Sequence, residues 1–433
     1  MLIRAPQLDT PTSESIRFEQ DGALVLDADE GTIVACGSYA AIRDDFPEEP
    51  EWAPPEGSRP LLLPGLIDVH AHLPQYPAVA RRESSLLPWL ERHVFPLERE
   101  FSGNEHAAFI EAFFDDVAAN GITTIVLYGA IWEGTTDLAF GVAKAKGIRA
   151  IIGKVMMDVG SYGEEQSVVA RDLSMEQSRR LIEKWHGAEQ GRLEYAMAPR
   201  FAVTCSMDLM REAGELAAEF DTYVQTHLSE NRGEIEAVAG MFPEAASYTD
   251  VYRQAGLLGP RTILGHCIHL SDDERRLLAE AGATIAHCPT SNFFLNSGLF
   301  PLDLAQQAGI RVGLASDVAG GPELNPWQVM RSAIEVQKAR GFHDERVAEL
   351  SPAHAFHLAT SGGADLLGKA DRIGTLDIGM EADLSLIDLN RVLPLGGRYS
   401  PADLDPEQLL TACIYRGGPD ATLASFVRGR RTH

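Results

Sequence analysis

Cysteine is scarce in this 433-residue chain: Cys36, Cys205, Cys267, Cys288 and Cys413 are odd in number, scattered, and form no C-x-x-C pair. That excludes a disulfide scaffold, which is dense in cysteine, and predicts reduced thiols in a cytoplasmic protein. Basic residues are also short, with 37 Lys+Arg against 63 Asp+Glu and a formal net charge of −26. No Lys/Arg run offsets the surplus, so neither a nucleic-acid backbone nor an anionic membrane surface is expected as partner. No stretch approaches the roughly 18 apolar residues of a membrane span. The opening MLIRAPQLDTPTSE lacks a basic start followed by an apolar run, so a signal peptide is not expected. No G-x-G-x-x-G follows an apolar run, which weakens a dinucleotide-binding reading.

Against these absences stands a composition that can build a large core, with 45% hydrophobic residues and 23% charged. Eight apolar runs recur along the middle of the chain: Leu62–Val69, Ile122–Leu127, Arg149–Val155, Leu193–Ala198, Thr222–His227, Thr262–His266, Thr284–His287 and Ile310–Ala315. Helical patterns separate them at Glu105–Asn120, Thr135–Lys146, Met175–His186, Leu209–Phe220, Asp272–Ala281 and Pro301–Ala308. Gly121, Gly147, Gly282 and Gly309 stand before the next run, where a left-handed helix stop belongs. Ser271-Asp-Asp-Glu274 reads as a capping box. Near-continuous apolar strands alternating with helices predict a parallel sheet covered on both faces, and eight units predict an α/β fold of the (β/α)8 TIM-barrel type. An open doubly wound sheet is the competing architecture. Two further helical stretches follow, Trp327–Arg340 and Ala353–Leu367.

Both ends are β-like. Ala23–Leu26 and Thr32–Ala35 read as a hairpin, and Pro47–Gly57 as an irregular connector. Ile373–Leu376, Ala382–Asp388 and Thr422–Val427 read as strands. The expected organisation is a barrel over 63–370 with a small β-sandwich satellite domain built from 1–62 and 371–433.

The chemistry gathers where the runs end. In Pro64-Gly-Leu-Ile-Asp-Val-His70-Ala-His72 the two histidines are two apart, so on a strand they face one side. His227 ends the fifth run, His266 the sixth, and Asp317 follows the eighth. Barrel enzymes place their chemistry at these C-terminal strand ends. Any one of the five has a bland reading as a core or loop residue; together they predict a metal site. Three histidines and one carboxylate suit a divalent ion with a position left for water, whose pKa falls toward about 7. Glu230, three residues past His227, is a carboxylate free to shuttle protons.

The residues resemble the amidohydrolase superfamily, on His70-Ala-His72, His227-Leu-Ser-Glu230, Gly265-His-Cys-Ile-His-Leu270, His287-Cys-Pro-Thr-Ser-Asn292 and Ser316-Asp-Val-Ala-Gly-Gly321. Within it they resemble the guanine deaminases, on His72-Leu-Pro-Gln75-Tyr76, Ala198-Pro-Arg200-Phe201 and Asp250-Val-Tyr-Arg-Gln-Ala-Gly-Leu-Leu-Gly-Pro260. The resemblance implies hydrolytic deamination of guanine to xanthine in a homodimer, with one zinc per subunit and Fe2+ as the alternative metal. It implies His70, His72, His227 and Asp317 as ligands, with Glu230, His266 and Asp317 as catalytic groups. Gln75, Arg200, Phe201, His227 and Glu230 match positions that contact the purine. Binuclear members usually carry a lysine ending the fourth strand; here Ala196-Met-Ala-Pro-Arg200 has none, which implies one metal. No P-C-x-x-C occurs, so the unrelated zinc deaminase class is not indicated.

Two segments depart from the resemblance, Met156–Gly163 and Gly320–Pro326. They keep open another heterocycle of the same superfamily, such as 8-oxoguanine, a pterin or a triazine. A catalytically silent barrel is the alternative from another class, but no expected ligand is missing.

Overall fold

In the computed structural model, which describes residues 1–159, 167–398 and 405–433, the eight apolar runs become eight strands. They are Leu66–His72, Ile122–Tyr128, Arg149–Gly153, Leu193–Pro199, Tyr223–Leu228, Thr262–His266, Thr284–His287 and Val312–Leu314. Neighbours in sequence are neighbours in the sheet, and the pairings are parallel. The ring closes where the eighth strand meets the first: Asp317 N donates to His70 O at 2.9 Å and His72 N to Val318 O at 2.8 Å. The strands are buried along almost their whole length. That follows from a barrel whose inside is filled by side chains and whose outside is sheathed by helices.

The sheathing helices start and stop on sequence signals. Ser271 Oγ accepts from Glu274 N while the Glu274 carboxylate accepts from Ser271 N, opening Asp272–Ala281. Gly147 and Gly282 take positive φ, 85° and 72°, closing Glu133–Lys146 and Asp272–Ala281.

Three readings change. The first run spans two elements: Pro60–Pro64 belongs to a terminal sheet and Leu66–His72 to the barrel, hinged at Gly65. Only glycine fits there, because a Cβ would lie 2.1 Å from Thr123 Oγ1. Ala353–Leu367 is two helices, Pro352–Leu358 and Ser361–Leu366, broken at Thr360, whose ψ of −102° is non-helical. Ile373–Leu376 is not a strand. Ile373 drops into the apolar base of the barrel, and the Leu376 N–H goes to Asp9 Oδ2 at 3.0 Å instead of to a ladder.

The termini build two sheets. One has six strands in the order Arg430–Arg431, Thr422–Val427, Leu384–Asp388, Pro60–Pro64, Gln7–Thr12 and Ser15–Glu19. The other has three, Leu2–Arg4, Gly22–Asp27 and Thr32–Ser38, with the expected hairpin as its last pair. Ile3, Leu24, Leu26 and Ile33 of the small sheet pack on Leu62, Leu384, Leu386 and Phe426 of the large one. Arg149, fully buried at the start of the third barrel strand, gives Nε to Asp383 Oδ2 at 2.9 Å and also pairs with Glu381. A buried guanidinium needs such carboxylates, and here they fasten the base of the barrel to the terminal sheets.

Candidate active site

A bulge in the first strand aims the two histidines of His70-Ala-His72. Asp68 lies opposite Ile125 but Ala71 opposite Leu127, an advance of three residues against two. The extra residue re-phases the alternation. Below it, Ile67 and Val69 join Val126, Ile151, Ala196 and Ile263 in an apolar plug. Above it, His72 stacks on Tyr128 at 4.4 Å between centroids and on His227 at 5.2 Å, with His70 edge-on to His227 at 4.8 Å.

The donor atoms converge. His72 Nε2 lies 3.2 Å from His70 Nε2, from His227 Nε2 and from Asp317 Oδ1, and His70 Nε2 is also 3.2 Å from Asp317 Oδ1. Ligands tetrahedrally disposed at roughly 2.0–2.1 Å from a zinc-sized ion stand roughly 3.3 Å apart. These four side chains therefore fit a single metal ion. One donor each of His70, His227, His266 and Asp317 also falls within 4.8 Å of the others. His266 stands further off, with Nε2 3.7 Å from Asp317 Oδ2 and 3.4 Å from Glu230 Oε2.

Protonation states agree with this fit. Burial pushes His72 down to about 4 and His227 well below the ordinary histidine value, so both imidazoles are neutral at pH 7 with a lone pair to give. His227 Nδ1 donates to Arg200 O at 2.7 Å, which turns Nε2 into the cluster as acceptor. His266 Nδ1 meets Asn292 Oδ1 at 2.9 Å, turning its Nε2 inward likewise. Glu230 is buried beside the cluster, and desolvation, then the negative Asp317, push its carboxyl up to about 8. It therefore holds a proton at neutral pH. Ser297 Oγ donates to its Oε1 at 2.8 Å and fixes its rotamer.

The backbone is strained where it delivers these groups. His266, Cys267 and Asp317 have φ of 68°, 53° and 49°, in a region that side chains disfavour. Asp68, buried between the first and eighth strands, accepts from His70 N at 3.2 Å, Ser316 N at 3.1 Å and Ser316 Oγ at 2.5 Å, locking the two strands that carry His70, His72 and Asp317 together. Immediately after Asp317, Gly320 and Gly321 fold back on it. A Cβ on Gly320 would lie 2.8 Å from Asp317 Oδ2, and one on Gly321 1.9 Å from Ser316 O. The departing segment Gly320–Pro326 thus wraps the eighth strand end. Of Met156–Gly163, residues 160–163 lie outside the described residues; Met156 and Met157 are buried, and Asp158 accepts from Ser206 N at 2.7 Å.

The cluster opens on a cavity lined by His72, Gln75, Leu86, Trp89, Leu90, Arg200, Phe201, His227, Glu230, His266, Leu295 and Asp317. Of the residues singled out in the sequence, His70 alone does not line the cavity; it lies behind His72 and Asp317. Sequence reasoning missed the wall made by Leu86, Trp89 and Leu90, from the helix Leu86–Trp89 and the π-helical turn Leu90–Val94, and the helix Phe95–Glu100 that follows them. Pro88 and Pro96 interrupt the helical pattern there. It also missed Glu98, which accepts from both Gln75 and Arg200.

The amidohydrolase family model matches residues 61–429. A guanine deaminase of Escherichia coli K12 is 37% identical over 385 residues, covering 88% of this chain and 84% of that protein. A solved structure of E. coli guanine deaminase superposes with a TM-score of 0.90 at 33% identity, covering 100% and 99% of the two chains. A guanine deaminase from C. acetobutylicum, solved with guanine bound in its active site, gives 0.89 at 28% identity and 99% coverage of both.

Proposed function

The chain belongs to the amidohydrolase family, and on that premise we propose that it hydrolyses guanine to xanthine and ammonia, with one zinc ion held by His70, His72, His227 and Asp317. The observation that supports the substrate is the placement of Gln75, Arg200 and Phe201 on the wall of the same small cavity that the donor cluster floors. The similarity to guanine deaminases over most of the chain favours it over another heterocycle.

A divalent ion in this donor set would lower the pKa of a water toward about 7, supplying hydroxide at neutral pH. The rest is done by the chain itself. Phe201 and Trp89 give apolar faces against which a planar base lies, and Arg200 and Gln75 fix its in-plane orientation. Asp317 takes a proton from the attacking water. Glu230, protonated because it is buried beside Asp317, gives its proton to the ring nitrogen adjacent to the amino-bearing carbon. Glu230 then takes the proton of the newly added hydroxyl and passes it to the amino group, which leaves as ammonia, and the proton held by Asp317 restores Glu230. His266, held by Asn292, steadies the charge that develops on oxygen. The enzyme would act as a cytoplasmic homodimer on a free small base; among the described residues no helix is long and apolar enough to cross a membrane.

The test is ammonia release on a panel of guanine, 8-oxoguanine, a pterin, adenine and cytosine, with metal content measured on the same sample. Guanine is expected to lead, with about one zinc per chain and loss of activity on chelation. A preparation inactive on every purine would overturn the reading.

A further inference from the structure

The reaction above makes no use of Glu98, although this carboxylate is only 1% exposed and lies behind the cavity wall. Its Oε2 accepts from Arg200 Nη1 at 2.5 Å and its Oε1 from Gln75 Nε2 at 3.1 Å. One acid thus holds both polar groups assigned to the base. Phe95, on the same short helix, lies 5.2 Å from Arg200 Cζ and backs the guanidinium with its ring. Trp132 Nε1 donates to the Glu98 carbonyl at 3.2 Å and to that of Arg99 at 3.1 Å, which ties the helix to the loop after the second strand.

We propose that Glu98 is a positioning residue that sets the hydrogen-bond polarity of the base-reading edge, so that the cavity selects heterocycles presenting a lactam, a ring C=O beside a ring N–H. The proposal rests on the guanine reading and refines it. A carboxylate accepts only, so it takes the Gln75 amide by its nitrogen and turns the amide oxygen the other way, as an acceptor. A guanidinium has donors only, and its charge-assisted bond to Glu98 fixes the plane in which they point. The edge that results has a donor beside an acceptor. Its complement is an acceptor beside a donor, which is the C=O/N–H edge of a lactam. The amino/ring-nitrogen edge of adenine is a donor beside an acceptor, and in that register it sets like against like. Without the carboxylate, the Gln75 amide can turn over and the guanidinium loses this charge-assisted bond.

The experiment compares Glu98→Gln with the wild-type enzyme, each checked for metal content and melting temperature. With guanine, KM should rise at least ~10-fold, the scale of one charge-assisted hydrogen bond, while kcat falls less. Inhibition separates the lactam from general packing. The Ki of hypoxanthine, which keeps the lactam but lacks the reacting amino group, should rise by a similar factor. That of unsubstituted purine should move less than ~3-fold, since apolar contacts are retained. In an Arg200→Ala background the same change should have little further effect, because residues acting as a unit are non-additive. Should Glu98→Gln fail to fold, Glu98→Asp keeps the carboxylate but draws it back from both partners, so the same shifts are expected at reduced size. Unchanged KM, equal shifts of the two Ki values, or additivity with Arg200→Ala would overturn the proposal while leaving guanine deamination in place. A metal-loaded wild-type enzyme inert on guanine would overturn both.

Discussion

Adding one methyl group at Gly321 should disable the site without touching a reacting atom. The Cβ of Gly321→Ala would sit 1.9 Å from Ser316 O, where ordinary contact begins near 3.4 Å, so the two must part by about 1.5 Å. The obstacle is backbone, so no side-chain rotation relieves it. Neither end yields freely: Ser316 is held by Asp68 through its N–H and hydroxyl, and Gly321 N donates to Asp317 O at 2.6 Å. The displacement falls on the four residues between, the first of which is Asp317, whose φ of 49° is already strained. A shift of about 1 Å in a catalytic group commonly costs ~10²-fold in rate. Disturbing what orients a ligand costs about 10–100-fold in metal affinity. The assay is metal stoichiometry by mass spectrometry with steady-state ammonia release on one preparation, and far-UV circular dichroism to confirm the fold. Gly134→Ala is the matched control. It sits in the helix Glu133–Lys146, where an added methyl meets nothing within 4 Å, and should be neutral or stabilising by roughly 0.5–1 kcal/mol. Gly321→Ala with full metal and activity within threefold of wild type would refute the reasoning.

Two other perturbations follow. Glu230→Gln should keep the metal and reduce turnover at least ~10²-fold, the scale of general acid–base work; wild-type turnover would remove Glu230 from the mechanism. Lys154 lies buried with Nζ on Ser174 Oγ at 2.7 Å, and desolvation lowers it from 10.5 to about 7. Between those values the unfolded chain binds a proton that the folded chain does not, so this group makes stability rise with pH by about 1.4 kcal/mol per unit over that window. Lys154→Met should therefore raise the urea midpoint most near pH 7 and by a shrinking margin toward pH 10; an equal gain at both would contradict the burial argument.

Much of the site was legible because the barrel writes its chemistry at the ends of apolar runs. His227, His266 and Asp317 close or follow buried strands, and glycine stops mark the helices between, so local signals agree with the fold. The His70-Ala-His72 spacing is also readable, but its phase is not. Alternation from Ile67 would put His70 outside, and the bulge that corrects it is a property of the pairing with Ile122–Tyr128. Glu98 was invisible for another reason. In Leu97-Glu-Arg-Glu100 it looks like any exposed acid, and only the packing of Phe95–Glu100 beneath Arg200 makes it buried and specific. Ile373–Leu376 misled because a β-like composition can serve a buried irregular stretch whose amides are satisfied by a side chain.

The hinge at Gly65 has a consequence for the order of events during synthesis. The strand that carries His70 and His72 continues directly from Pro60–Pro64, and that segment takes one of its two neighbours, Leu384–Asp388, from more than 300 residues later in the chain. The eighth strand, which brings Asp317 to His70, also arrives late. A ribosome that has released the first strand has therefore produced two histidines with neither flank in place. Closing so long a loop is slow on entropic grounds, and the unpaired edges of the first strand and of Pro60–Pro64 wait exposed in the meantime. The earliest-made donors of the cluster are among the last to be set, so a metal held by them would be captured at the end of folding rather than at its nucleation.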